Sequence, residues 1–219
     1  MAVLNSWQRI DRVLSGKPFG DKANGNATLS ADPHTRQSCS GSSAQKNLTI
    51  ASGAFSNGDV VLIMQQRGTG VLQWEVNQIA SGGGTTTLVM KENLYYTYTD
   101  SGASQAQIIN IPRYNTLTVN SFTLTGWNKN VGGVLALAGI DVTIATGQTL
   151  TATAKGYDGG NWRNSVTSAP YEGYSGEGTV GDEAIQPSAN GNGGGGGDGN
   201  GGFFRASGAG GGNGSAGGN

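Results

Sequence analysis

The chain has 219 residues, of which 40 are glycine, 35% are apolar and only 12% are charged, with a formal net charge of −1. That composition excludes a conventional core along the whole length and a basic surface for nucleic acid or an anionic membrane, so no nucleic-acid partner is expected. The one cysteine, Cys39, excludes an internal disulfide framework, and no apolar run approaches the roughly 18 residues of a spanning helix, so no membrane insertion is expected.

Residues 1–18 lack the basic and then apolar pattern of a secretory leader, which predicts synthesis for the cytoplasm. Val3, Trp7, Ile10 and Leu14 follow at intervals of four, three and four, an a/d stripe that predicts a short N-terminal helix. Asn5 or Ser6 caps its start, Gly16 suits the C′ position, and Pro18 stops it. A helix of about ten residues is marginal alone and must bury its stripe, either on its own chain or in another subunit. No second amphipathic helix follows to receive it, which favours an attachment or oligomer interface made by those four residues.

Between residues 19 and 107 a polar entry segment precedes a small β-barrel or meander. "FGDKANGNATLSADPHTRQSCSGSSAQK" reads as loop with one short strand, Ala27 to Leu29, and turn signals at Asn24-Gly25 and Asp32-Pro33. The period then becomes two, in "NLTIAS", "DVVLIMQQ", "VLQWEVNQI", "TTTLVM" and "LYYTYT", with glycine turns between. This predicts a meander closing into a barrel or sandwich, with Leu62, Trp74 and Val76 in its core.

Residues 108–160 change character. "IINI", "TLTVNSFTLTG", "GGVLALAG", "DVTIAT" and "TLTATA" are strands of four to six residues at about ten-residue spacing, which fits a sandwich or the rungs of a parallel β-helix. The unalternating run Val134 to Ala138 favours a β-helix-like stem, since both its faces need cover. From residue 161 to 219 the apolar supply collapses into a glycine-rich region ending in "GNGGGGGDGNGGFFRASGAGGGNGSAGGN". That stretch reads by composition as a flexible spacer. The predicted fold is thus mostly β, with a short N-terminal helix, a small barrel or meander, β-helix-like rungs and a glycine-rich tail.

Chemistry-bearing residues are sparse. His34 is the only histidine, and Asp32, His34 and Cys39 lack the paired spacing of zinc ligands; a solvated loop histidine is expected. A nucleophilic triad would rest on His34 alone and is rejected. Asp198 in "GGGGGDGNGG" touches a calcium-binding repeat only once, and Glu172/Glu177 or Asp182/Glu183 fall outside the strands that would make a paired-acid groove. No catalytic, cofactor or metal site is therefore expected, and the chain is read as no enzyme. The aromatics Tyr157, Trp162, Tyr171 and Tyr174 suit either sugar stacking at a surface or capping of the last rung.

The order of "FGDKANGNATLS", "NLTIASG", "GDVVLIMQQRGTG", "WEVNQI", "TTTLVMKENLYYTY" and "IPRYNTLTVNSFTLTGW…GGVLALAG…VTIATGQTLTATAKGYDGG" resembles the anchoring modules of bacteriophage fibre and adhesin proteins over residues 19–160. Lys22 stands where a glycine is commoner in those modules. The resemblance implies a virion protein assembled in the host cytoplasm, a homotrimer bound to other virion proteins through its N-terminus. Outward partners would be a host surface glycan or outer-membrane protein. It also implies a polyproline II glycine lattice like that of T-even-like tip adhesins. Similar passages occur in large bacterial surface proteins, so a bacterial adhesin or filament subunit is the alternative, and a carbohydrate-active β-helix enzyme a distant third.

Overall fold

The computed structural model describes residues 22–159 and 176–180. Val3, Trp7, Ile10 and Leu14, the aromatics Trp162, Tyr171 and Tyr174, and the run from 191 to 219 lie outside them. The described residues contain eleven β-strands and no helix.

Six strands close into a barrel: β2 (Arg36–Ser40), β3 (Asn47–Ile50), β4 (Val60–Arg67), β5 (Trp74–Ser81), β6 (Thr87–Met90) and β7 (Gln105–Asn110), in the order β2-β3-β6-β5-β4-β7. All its pairings are antiparallel, and closure removes the free edges that a meander would leave. Leu48, Ile50, Val61, Ile63, Ile79, Leu88, Met90 and Ile108 fill it, each below 5% exposed. Strand β2 lies inside the segment read as loop; its sequence RQSCS has one apolar residue, so alternation could not reveal it.

Of the predicted core residues Val76 is buried, at 7%, while Leu62 and Trp74 are half-buried; with Val60 and Ile111 they form a cluster separate from the one that fills the barrel. β4 is apolar on both faces, and in β5 the pattern is inverted: Glu75, Asn77 and Ile79 are buried at 1%, 0% and 1%. Glu75 and Asn77 point inward because they satisfy another segment's backbone. Asn77 Nδ2 donates to Glu92 O and its Oδ1 accepts from Glu92 N, while Glu75 Oε1 accepts from Tyr95 N. Gln65 holds Thr99 in the same two-way manner, at 2.9 Å each way.

Those bonds correct "LYYTYT" from strand to strap. Residues 91–100 run across the barrel without joining a ladder, apart from a bridge between Gly41 and Tyr98. The buried amides and carboxylate supply what a neighbouring strand otherwise would.

The remaining strands are parallel. β1 (Ala27–Leu29), β8 (Arg113–Val119) and β10 (Ala138–Ile144) form one sheet in the order β1-β8-β10, and β9 (Phe122–Thr123) pairs with β11 (Leu150–Thr151). Register aligns like with like: Ala27, Leu117 and Val142 make one column, and Leu29, Val119 and Ile144 the next. The columns are buried in the middle, at 0% for Leu117 and 2% for Val119, and open at β10, where Val142 and Ile144 are more than half exposed. "GGVLALAG" is corrected too: its Val134 to Leu137 are not in a strand, and Leu135 and Leu137 pack as a loop against Tyr114, Leu117, Val119 and Phe122. An apolar run without period reads the same whether it is a covered strand or a loop pressed onto a core. β7 crosses the expected boundary at 107/108, so the chain leaves the barrel only after Asn110, while β1 belongs with the parallel strands.

Candidate functional site

One loop, residues 124–137 between β9 and β10, joins the parallel strands to the barrel, and three sets of polar side chains fix it. The first sits before β2. Asp32 Oδ2 accepts from Thr125 N at 2.8 Å and from Arg36 Nη2 at 2.8 Å, and the same Nη2 donates to Val134 O at 2.9 Å. Burial would raise the Asp32 pKa, but hydrogen bonds from Thr125, His34 and Arg36 outweigh it and hold the carboxyl well below the usual range.

His34 is buried, with a side chain at 0% exposure, which corrects the expectation of a solvated loop residue. An ionised Asp32 can only accept, so His34 Nδ1 is the donor in their 2.7 Å contact. The Nε2 atom then faces Ala136, accepting from its N at 3.0 Å with its O also within 2.8 Å. Both ring nitrogens are thus engaged in holding the loop. Cys39, the other candidate ligand, is a free thiol in the barrel core, its pKa raised by burial.

The second set closes the barrel's polar end. Along β4 the inward column changes from Val61 and Ile63 to Gln65 and Arg67. Arg67 Nη1 donates to Glu177 Oε1 at 2.6 Å, and Trp127 Nε1 donates to the same oxygen at 2.6 Å. Glu177, 1% exposed, also anchors residues 176–180: its N donates to Asp158 O, and Gly68 N donates to Thr179 O. Tyr157 completes this set. Its ring meets Trp127 edge-on at 5.7 Å, and its hydroxyl donates to Gln66 O at 2.5 Å. Burial, then the Glu177 charge, push its pKa up to about 12, with Arg67 pulling the other way. Of the four aromatics put forward for surface binding, Tyr157 is the one described, and it is half-buried in this joint.

The third set is Gln107, fully buried, which grips Gly132 from both sides: its Nε2 donates to Gly132 O at 3.0 Å and its Oε1 accepts from Gly132 N at 2.9 Å. Gly132 has φ +110°, and a Cβ there would run into Gly126 O. Only glycine fits that backbone without strain.

Sequence reasoning passed over Arg67, Trp127, Gln107 and Gly132, and weighed Glu177 only as half of an acid pair. The one available signal was Arg67 at the inward parity of a strand whose column starts with Val61 and Ile63. Charged residues are almost never buried without a partner, so a partner carboxylate was implied. Chemically the joint is a set of polar bonds, buried at Arg67, Trp127, Glu177 and Gln107 and partly open to solvent around Asp32, that hold two β-structures in fixed relation. Among the described residues no group of three or more His, Cys, Asp or Glu is placed to hold a metal ion.

No family model and no curated protein matches the chain. Among solved structures it is similar to the Gp54 tailspike of Acinetobacter baumannii bacteriophage AP22, solved in complex with A. baumannii capsular saccharide. The identity is 14% and the TM-score 0.29, over 56% of this chain and 22% of the tailspike chain. The chain therefore spans less than a quarter of that tailspike's length.

Proposed function

We propose that this chain is a non-enzymatic structural segment of a bacteriophage particle, a fibre or adhesin part that anchors by its N-terminus and projects outward. The observation that carries the reading is the joint: a closed barrel clamped by buried polar bonds to parallel strands stacked in register, whose apolar columns end exposed at Val142 and Ile144. Parallel strands with matched side-chain columns are what a β-helical stem propagates, each coil covering the one before. The parallel sheets are, in this reading, the first coils of such a stem, and the barrel is its rigid base. The resemblance of residues 19–160 to phage anchoring modules supplies the particle. Stems of this kind bury their apolar surface between subunits, so the chain works as a homo-oligomer, a trimer being the simplest. Its outward partner is a host surface glycan.

Attachment through Val3, Trp7, Ile10 and Leu14 gives the test. Particles made with a chain lacking residues 1–16 should lose this protein, while the deleted chain purified alone keeps its barrel, read as unchanged β-sheet circular dichroism and thermal midpoint. Incorporation of the deleted chain at the normal level overturns the anchoring role.

A further inference from the structure

The strap at residues 91–100 does more than cover the barrel. It forms the common wall of two open clefts, of about 350 and 530 Å³, that meet at Thr97 and Thr99. We propose that this joined groove binds a neutral oligosaccharide in extended form.

The lining carries the argument. Thr69, Thr97 and Thr99 offer hydroxyls, Gln45, Asn47 and Gln73 offer amides, and each can donate or accept as a sugar hydroxyl requires. Among the described residues no Lys, Arg or His lines either cleft, and Asp100 is the one carboxylate. A sulfated, phosphorylated or uronic-acid chain would meet no countercharge and one repulsive group, so the groove selects uncharged sugars. Tyr95 supplies the flat apolar platform on which a pyranose face stacks. It is 39% exposed, and Tyr96 props its ring edge-on at 4.6 Å.

Rigidity distinguishes this groove from ordinary loop surface. The strap's backbone is fixed by buried Gln65, Glu75 and Asn77, so its outward hydroxyls are held in place before any ligand arrives. Burying three polar side chains to position a surface segment costs the barrel apolar core; a preorganised surface is what that cost secures. A peptide is the less suited occupant. The closed barrel offers no strand edge to extend, and the described lining of the open clefts is mostly Ser, Thr, Gln, Asn and Gly rather than aliphatic. Two clefts end to end suit several linked sugars better than one.

The proposal gives the host-glycan partner of the preceding reading a place on the barrel, and rests on that reading only for where the glycan comes from. Its test is independent of particle assembly. The purified full chain is titrated by NMR and calorimetry with neutral homo-oligosaccharides four to six units long, built from hexose or from N-acetylhexosamine. Sialylated and uronic-acid oligomers and an unstructured polar peptide run alongside. Saturable binding of a neutral oligomer is expected, weakened at least tenfold by Tyr95→Ala and severalfold by Thr97→Val, with thermal midpoints within a degree or two of wild type. Preference for acidic oligomers or the peptide overturns the proposal, as does absence of binding across the neutral set. Neutral binding that Tyr95→Ala leaves unchanged places the sugar elsewhere and overturns it too. None of these results bears on whether the chain is built into particles, which the deletion of residues 1–16 decides.

Discussion

Glu177→Ala strikes the joint where its bonds converge. One carboxylate oxygen takes hydrogen bonds from Arg67 and Trp127, each at 2.6 Å, and both charged side chains are nearly sealed from water, at 3% and 0% exposure. Truncation leaves the Arg67 guanidinium with its Nε bond to Ala103 O but without this carboxylate. Breaking a buried pair by removing one partner costs about 3–5 kcal/mol, because the remaining charge stays desolvated. The orphaned indole N–H adds part of its own penalty of about 1–3 kcal/mol, and the two overlap because they share an oxygen. The expected loss is therefore about 4 kcal/mol, a large share of the roughly 5–15 kcal/mol that holds a typical domain together. Glu177→Gln keeps an acceptor and should lose about 2 kcal/mol. The double variant Arg67→Met, Glu177→Leu removes both charges and should recover at least about 2 kcal/mol relative to the sum of the single losses. Urea unfolding followed by tryptophan fluorescence gives the free energies. Hydrogen exchange shows whether residues 124–137 loosen first. A loss below about 1 kcal/mol for Glu177→Ala, with exchange in that loop unchanged, refutes the clamp.

Asp32 has a folded pKa below its ordinary 3.8, so its contribution is fully present above about pH 5 and is lost as pH falls through the depressed value. Asp32→Asn should accordingly destabilise the protein at pH 7, and the urea curves of variant and wild type should converge on acidification; a constant gap down to pH 2 contradicts the assignment. Gly132→Ala meets both a positive φ and the Gly126 carbonyl and should cost about 2–4 kcal/mol in urea unfolding, whereas Gly147→Ala, with open space around it, should cost about 1. Light scattering of the purified chain at micromolar concentration should give a trimer or larger species, and a stable monomer would count against the homo-oligomeric stem.

The sequence showed elements where side-chain period and burial coincide. β3, whose residues alternate exposed and buried, and β6 are legible as strands from NLTI and TLVM, and β4 from its apolar run Val60 to Met64. β1 was legible as Ala27 to Leu29 because turn residues bracket it, although nothing local told that its partner is β8. Legibility failed where polar side chains do structural work over distance. β5 turns Glu75 and Asn77 inward to hold the strap, and the strap's aromatics imitate a strand although its backbone is paired partly by side chains and partly by scattered backbone bonds to Gly41 and Gln45. The joint was invisible for a related reason: Asp32 and Thr125, Arg67 and Glu177, and Gln107 and Gly132 are far apart in the chain, and each residue taken singly is ordinary. His34 read as a loop histidine because its second partner, Ala136, contributes only backbone.

The central claim, that the chain is a rigid base and first coils of a fibre or adhesin on a phage particle, is tested most directly by cryo-electron microscopy of particles released by the cells that make it, with mass spectrometry to identify the chain in them. The account predicts that the chain co-purifies with the particles and that a six-stranded barrel sits at the foot of an outward stem, parallel strands continuing past β10 along the stem axis. Particles free of the chain, with the protein found instead on the bacterial surface, would contradict it.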